Sequence, residues 1–144
     1  MTLDDEIREA AQTIVRAFRD NDEEAYFAGF VADCSFAFHT DPAPLLGTDA
    51  WRSAWRELQE SGWRVIECRT LWDHVQAVGD GGVYLHELET TAGTPGAIET
   101  YRERESIVFA RLHGRLVAVH EHLSPIPTQD DDDGGADASA ERED

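Results

Sequence analysis

The chain has 144 residues, 41% of them hydrophobic, which is enough for one folded domain that buries about two thirds of its extended surface. Thirty acidic residues against twelve basic ones set a net charge of −18, and every basic residue is an arginine. A surface this negative repels phosphate backbones and anionic lipid heads, so nucleic acid and membrane surfaces are excluded as expected partners.

Leu3, Ile7, Ala10, Ala11, Ile14 and Phe18 recur at helical spacing, and Thr2 with Asp5 reads as a capping box, so a first helix is expected there. Asp20-Asn21-Asp22 ends it and caps a second, short helix expected to carry Tyr26, Phe27, Phe30 and Val31. Cys34 to His39 reads as a short strand and Asp41-Pro42-Ala43-Pro44 as a loop. Thr48 and Asp49 open a third helix with one apolar stripe of Trp51, Ala54, Trp55 and Leu58, closed by Ser61-Gly62. From Trp63 the pattern changes to long strands split by glycine turns. These are Trp63 to Val78, Val83 to Thr91, Ile98 to Leu112 and Arg115 to Ser124, the last two joined at His113-Gly114. Helices followed by an antiparallel meander give an α+β fold, and a curved sheet closed by helices makes a cup for a small ligand.

The last sixteen residues hold eight acids, one arginine and no large apolar side chain. They carry −7 and leave −11 on the rest, so the domain is expected to span 1–128 with an acidic disordered tail over 129–144. The acid excess also points to a salt-adapted, halophilic source, because high ionic strength screens self-repulsion; the alternative is a GC-rich genome that favours arginine codons together with one acidic tail. Cys34 and Cys68 lack metal spacing and lie in apolar segments, so free buried thiols are expected. No apolar run approaches the ~18 residues of a membrane-crossing helix, and the acidic start is unlike a signal peptide, so a cytoplasmic location is expected.

The element order, the phrase Asp22-Glu23-Glu24-Ala25-Tyr26, the lead Leu46-Gly47-Thr48-Asp49-Ala50-Trp51 and the ending Gly114-Arg115-Leu116-Val117-Ala118-Val119-His120-Glu121-His122-Leu123-Ser124 resemble the nuclear-transport-factor-2-like superfamily. The ending resembles its polyketide-cyclase (SnoaL-like) and ketosteroid-isomerase-like branch and the association domain of calmodulin-dependent kinase II. The resemblance covers residues 3 to 127 and implies a cone-shaped curved antiparallel sheet packed against three N-terminal helices. It also implies a pocket at the open end and a homodimer through the sheet. The positions that match the kinase domain's anion-binding arginines are Ile107 and Leu123, so that anion site does not carry over.

Register in the last hairpin decides which residues face the cup. With Leu112-His113-Gly114 as a three-residue loop, the preferred reading, Ile107 opposes Val119, Phe109 opposes Val117, and Glu105 opposes Glu121. With a two-residue turn at His113-Gly114, Glu105 meets His122 and Ser106 meets Glu121. Two glutamates in an apolar wall cannot both ionise cheaply, so at least one pKa rises and an acid survives near neutral pH, the device that enolising enzymes use. Glu121 is expected as proton shuttle and Glu105 as its protonated partner, with a phenol from Tyr26, Tyr84 or Tyr101. Trp51, Trp55, Tyr26, His39, Tyr101, Phe109 and Leu123 are expected around the pocket. His39 or His86 with a nearby acid is a further candidate base dyad. Against this stands a purely structural role, in which Arg102 and Arg104 neutralise the two glutamates. His120 and His122 share a face, but no metal site is expected from their spacing alone. The functional expectation is a cofactor-independent isomerase, cyclase or lyase acting on a small hydrophobic carbonyl compound. The alternative is a non-catalytic homodimeric binding or oligomerisation module.

Overall fold

Thr2 opens the first helix, α1 (Leu3–Arg19), through a complete capping box in which Asp5 N–H donates to Thr2 Oγ1 at 3.1 Å and Thr2 N–H donates to Asp5 Oδ2 at 3.2 Å. Acids in its first turn and arginines in its last suit the helix dipole, and Ile7, Ala11, Ile14 and Val15 are buried along one stripe. Asp22 caps α2 (Glu23–Phe27) by accepting from Ala25 N–H. This helix is shorter than expected. Gly29 packs so closely on Ile14 that a Cβ there would lie 2.7 Å from Ile14 Cγ1, and the chain turns at this contact into β1 (Phe30–Phe38), which takes Phe30 and Val31.

The computed structural model describes residues 1–127; the tail expected over 129–144 lies outside the described residues. A two-residue strand not anticipated from sequence, β2 (Leu45–Leu46), pairs with β1 before α3 (Thr48–Glu60) begins. The long strands β3 (Arg64–Val78), β4 (Gly81–Thr94), β5 (Ala97–Leu112) and β6 (Arg115–Pro125) form the expected antiparallel meander. They belong to one curved, unclosed sheet of order β2-β1-β6-β5-β4-β3. Its one parallel junction is β1 with β6, where Phe36 faces Glu121 and Phe38 faces Leu123. The three helices lie against the concave face, giving the α+β cone. No helix among the described residues is long and apolar enough to cross a membrane.

The preferred hairpin register is corrected. His113 (φ 53°) and Gly114 (φ 78°) form a two-residue turn, so Leu112 faces Arg115 and Phe109 faces Ala118. Continued along the strands, this register would turn Glu121 to the outer face beside Ser106. An extra residue, Val119, is bulged out between Ala118 and His120 and shifts the pairing by one, so that Glu121 faces Ile107 and Glu105 faces Leu123. The bulge brings Glu121 back inward.

Candidate functional site

Between the helices and the concave face lies a cavity of about 250 Å³. Ile14, Val15 and Phe18 of α1, Tyr26 of α2, and Trp51 and Leu58 of α3 form its roof, with Phe38, Thr40 and Trp63 at the sides. The sheet contributes Cys68, Leu88, Thr90, Tyr101, Leu123 and three carboxyl groups, Glu103, Glu105 and Glu121. The wall is apolar and aromatic, so the polar groups that face it are few and placed by strand alternation.

Glu105 and Glu121, offset by one diagonal step across β5 and β6, are buried together and hydrogen-bonded to each other. Burial pushes the Glu121 carboxyl well above the ordinary carboxylate range, and the neighbouring Glu105 charge and hydrogen bond push the same way. Burial opposes ionisation of Glu105 too, but the hydrogen bonds from Glu121 and His86 outweigh it and hold its pKa below the usual value. The two carboxyls are thus shifted in opposite directions, Glu121 up and Glu105 down. His86 lies on the Glu105 side of the pair.

His86 is fully buried and faces Glu105 across the β4–β5 ladder, with its Nε2 2.5 Å from Glu105 Oε1 and its Nδ1 3.0 Å from Thr70 Oγ1. Gln12 Nε2 donates to Thr70 Oγ1 at 3.0 Å and to Tyr84 OH at 2.7 Å, and Tyr84 OH donates to Asp73 Oδ2 at 3.0 Å. An ionised Glu105 can only accept, which assigns a ring hydrogen to His86 Nε2 and lets the Thr70 hydroxyl donate to Nδ1. Arg8 closes the chain on Asp73 at 2.9 Å. A continuous polar relay therefore runs from the outer surface of α1 through β3 and β4 to the carboxyl pair.

A second dyad stands at the rim, where His39 Nε2 lies 2.6 Å from Glu103 Oε2. Burial raises the Glu103 pKa, opposed by the hydrogen bond and charge of His39. His39 borders an adjoining surface groove and reaches the cavity only through Glu103. Both histidines named from sequence as dyad candidates thus have a glutamate partner.

Other expected pocket residues fall in different places. Tyr26, Trp51, Tyr101 and Leu123 line the cavity, and Trp51 Nε1–H donates to Tyr26 OH at 3.1 Å. Trp55 lies behind the wall, stacked on Tyr26 with ring centroids 5.7 Å apart, and Phe109 is packed in the core further along β5. Tyr84 is spent on the relay. Arg102 pairs with Glu89 and Arg104 with Glu87 on the outer face, so neither arginine neutralises the inward pair. His120 and His122 also point outward, His120 bonding Ser35 through Nδ1 at 2.7 Å.

Sequence reading missed Glu103, although its signal was present: it lies two residues before Glu105 on one strand and so shares its face. Gln12, Thr70 and Asp73 come from elements distant in sequence and carry no local signature.

A profile described as the SnoaL-like domain matches residues 7–129. Among solved structures, an NTF2-like protein from Cytophaga hutchinsonii ATCC 33406 superposes with a TM-score of 0.76 at 13% identity, covering 88% of this chain and 100% of that one. A ketosteroid isomerase-like protein from Erwinia carotovora atroseptica SCRI1043 gives a TM-score of 0.76 at 18% identity, covering 87% of this chain and 97% of that one. An NTF2-like protein of unknown function from Pseudomonas putida KT2440 gives 0.68 at 19% identity, covering 88% and 89% of the two chains. At these identities the likeness is one of fold. No curated protein matches the chain significantly.

Proposed function

The chain belongs to the SnoaL-like domain family, a membership that fixes its fold but not its chemistry, and from the site itself we propose that it binds a small hydrophobic carbonyl compound and moves a proton on it without a cofactor. The observation that carries this reading is the burial of two neighbouring carboxyl groups, Glu105 and Glu121, at the wall of an apolar cavity. Such a pair offers one group to donate to a carbonyl oxygen and one to accept a proton from carbon. Glu121 is the donor. Glu105, steadied by His86 Nε2–H, is the acceptor, and the resulting enol rearranges or eliminates as an isomerase, cyclase or lyase requires. Tyr26, Trp51, Tyr101 and Leu123 orient the apolar body.

Exchange of α-protons for deuterium in a panel of cyclic ketones and enones, followed by NMR with and without protein, tests this function. Accelerated exchange that disappears in Glu121→Gln is expected; equal exchange with both proteins would remove the acid/base role. A second reading, binding without turnover, is favoured by His86, whose two nitrogens are both engaged and which does not line the cavity.

The partner reading includes a second copy of the chain, docked through the outer face of the sheet, where Ile66, Trp72 and Ile98 are exposed. Light scattering tests it, with twice the 16.1 kDa chain mass expected. The location proposed is the cytoplasm, and the acid excess supports a salt-adapted cell. A thermal midpoint that does not rise between dilute and multimolar KCl would refute that adaptation.

A further inference from the structure

The cavity beside Glu105 and Glu121 holds about 250 Å³, below the ~300–1,000 Å³ of ordinary small-molecule sites. Toward Tyr101 its wall opens, since Thr40 is exposed and Trp63 and Tyr101 are only half-buried. The same three residues, with Glu103, also line a surface groove of about 490 Å³. Cavity and groove therefore meet at a common mouth.

Strand alternation explains the junction. On one face of β4, Leu88 and Thr90 line the cavity and Ala92 and Thr94 the groove; on the matching face of β5, Glu105, Glu103 and Tyr101 are followed by Glu99 and Ala97. The β4–β5 pairing runs from Gly82 to Thr94 without a register shift, so the groove floor is the cavity floor continued. At ~3.3 Å per residue this floor runs ~13 Å from Glu105 to Tyr101 and ~13 Å more to Ala97. Small side chains at Ala92, Thr94 and Ala97 keep its outer half open. A second groove meets the cavity at Phe38, Thr40, Trp51 and Leu58, but the walls it adds are chiefly polar, Asp41, Glu57 and Ser61. The Tyr101 side adds Ala92, Thr94, Ala97 and Pro125 alongside its charged residues, so an apolar chain leaving the cavity buries more of its surface there.

We propose that this groove is the outer half of the ligand site, and that the site takes one elongated, uncharged ketone. The carbonyl end lies at the carboxyl pair, the middle passes Trp63 and Tyr101, and an apolar extension lies over Ala92, Thr94 and Ala97. This rests on the reading above of the cavity as the site for a carbonyl compound, and adds to it the length of the molecule.

Acetophenones carrying a straight alkyl chain opposite the acetyl group, from 4′-ethyl through 4′-butyl and 4′-hexyl to 4′-octyl, test the inference by titration calorimetry on the full chain. Kd is expected to fall roughly threefold to fourfold per added methylene across the whole series, because each one leaves water for the groove. Ala97→Trp, at an exposed hairpin position, fills the outer half. In that variant the hexyl and octyl compounds should bind no tighter than the butyl compound, while the ethyl compound keeps its parent affinity. Thr94→Trp, which fills the same space from β4, should act alike. A parent series that stops gaining affinity before the hexyl member would confine the ligand to the cavity and overturn the proposal. An equal gain in the parent and in both variants would send the chain elsewhere, such as over Asp41 and Glu57, and overturn it as well. Absence of binding by every member would remove the ligand-site reading together with the inference.

Discussion

His86 stands opposite Glu105 in the β4–β5 ladder and donates to it through Nε2 over 2.5 Å, while its other nitrogen takes the hydroxyl of Thr70. That arrangement favours the charged form of Glu105 over that of Glu121. A carboxylate taken out of water is costly unless it is hydrogen-bonded, and Glu105 receives bonds from both His86 and Glu121. Glu121 receives no bond from His86, and burial pushes its pKa well above the ordinary carboxylate range.

Thr70 sets the His86 tautomer without touching the cavity, so it is a positioning residue. Thr70→Val should cost about 1–3 kcal/mol in urea unfolding, because it orphans a ring nitrogen in a buried site. Thr70→Ser, which keeps the hydroxyl, should cost much less. Equal losses in the two variants would show that the methyl, and not the hydrogen bond, matters.

Glu121 makes stability depend on pH in a definite direction. Below the ordinary carboxyl value of 4.5 the group is protonated in both folded and unfolded chains. Between that value and its raised folded pKa, the unfolded chain releases a proton that the folded protein keeps, so rising pH favours unfolding. Each pKa unit of elevation contributes about 1.4 kcal/mol. Glu121→Gln cannot ionise and retains an N–H donor for Glu105. Its stability relative to the parent should therefore climb as pH rises from about 5 to about 8; a constant difference across that range in chemical denaturation would mean that Glu121 titrates normally.

Burial pushes the Cys34 thiol up to about 12 and the Cys68 thiol up to about 11. Both should resist iodoacetamide in the native protein near about pH 8 and react fully once denatured. Fast native labelling of Cys68, which lines the cavity, would show that the reagent reaches its thiol through that cavity.

Trp55 is 1% exposed and packs against Phe18, Tyr26, Trp51 and Trp63, joining α3 to the roof of the cavity. Trp55→Ala should lose about 3–5 kcal/mol. A loss under about 1 kcal/mol in calorimetric unfolding would mean that the roof does not depend on this cluster.

What was legible in the sequence is what local chemistry determines. The Thr2 box, the Asp22 cap, the Trp51 and Trp55 stripe and the glycine-bounded strands each carry their own signal, and together with the ending after Gly114 they pointed to the fold. Glu105 and Glu121 were paired for the right reason, the cost of two acids in an apolar wall, but through the wrong register. Two facts were hidden. The bulge at Val119 has no residue signature, since valine sits equally well in a regular strand, yet it alone turns Glu121 inward. The hydrogen bond from His86 that favours a charged Glu105 was hidden too, because His86 lies 19 residues before Glu105 and meets it only through strand pairing. Junctions between distant segments, such as β1 beside β6 and Gln12 beside Thr70, are likewise properties of the assembled sheet.

The shared proton is most directly measured by carbon NMR titration of protein labelled at the glutamate carboxyl carbons, assigned with Glu105→Gln and Glu121→Gln. Two resonances should leave the ordinary range in opposite directions, Glu121 titrating well above ~4.3 and Glu105 below it, each perturbed by loss of the other. If both titrate independently near ~4.3, the carboxyls are hydrated and separate, and the site holds no stored acid.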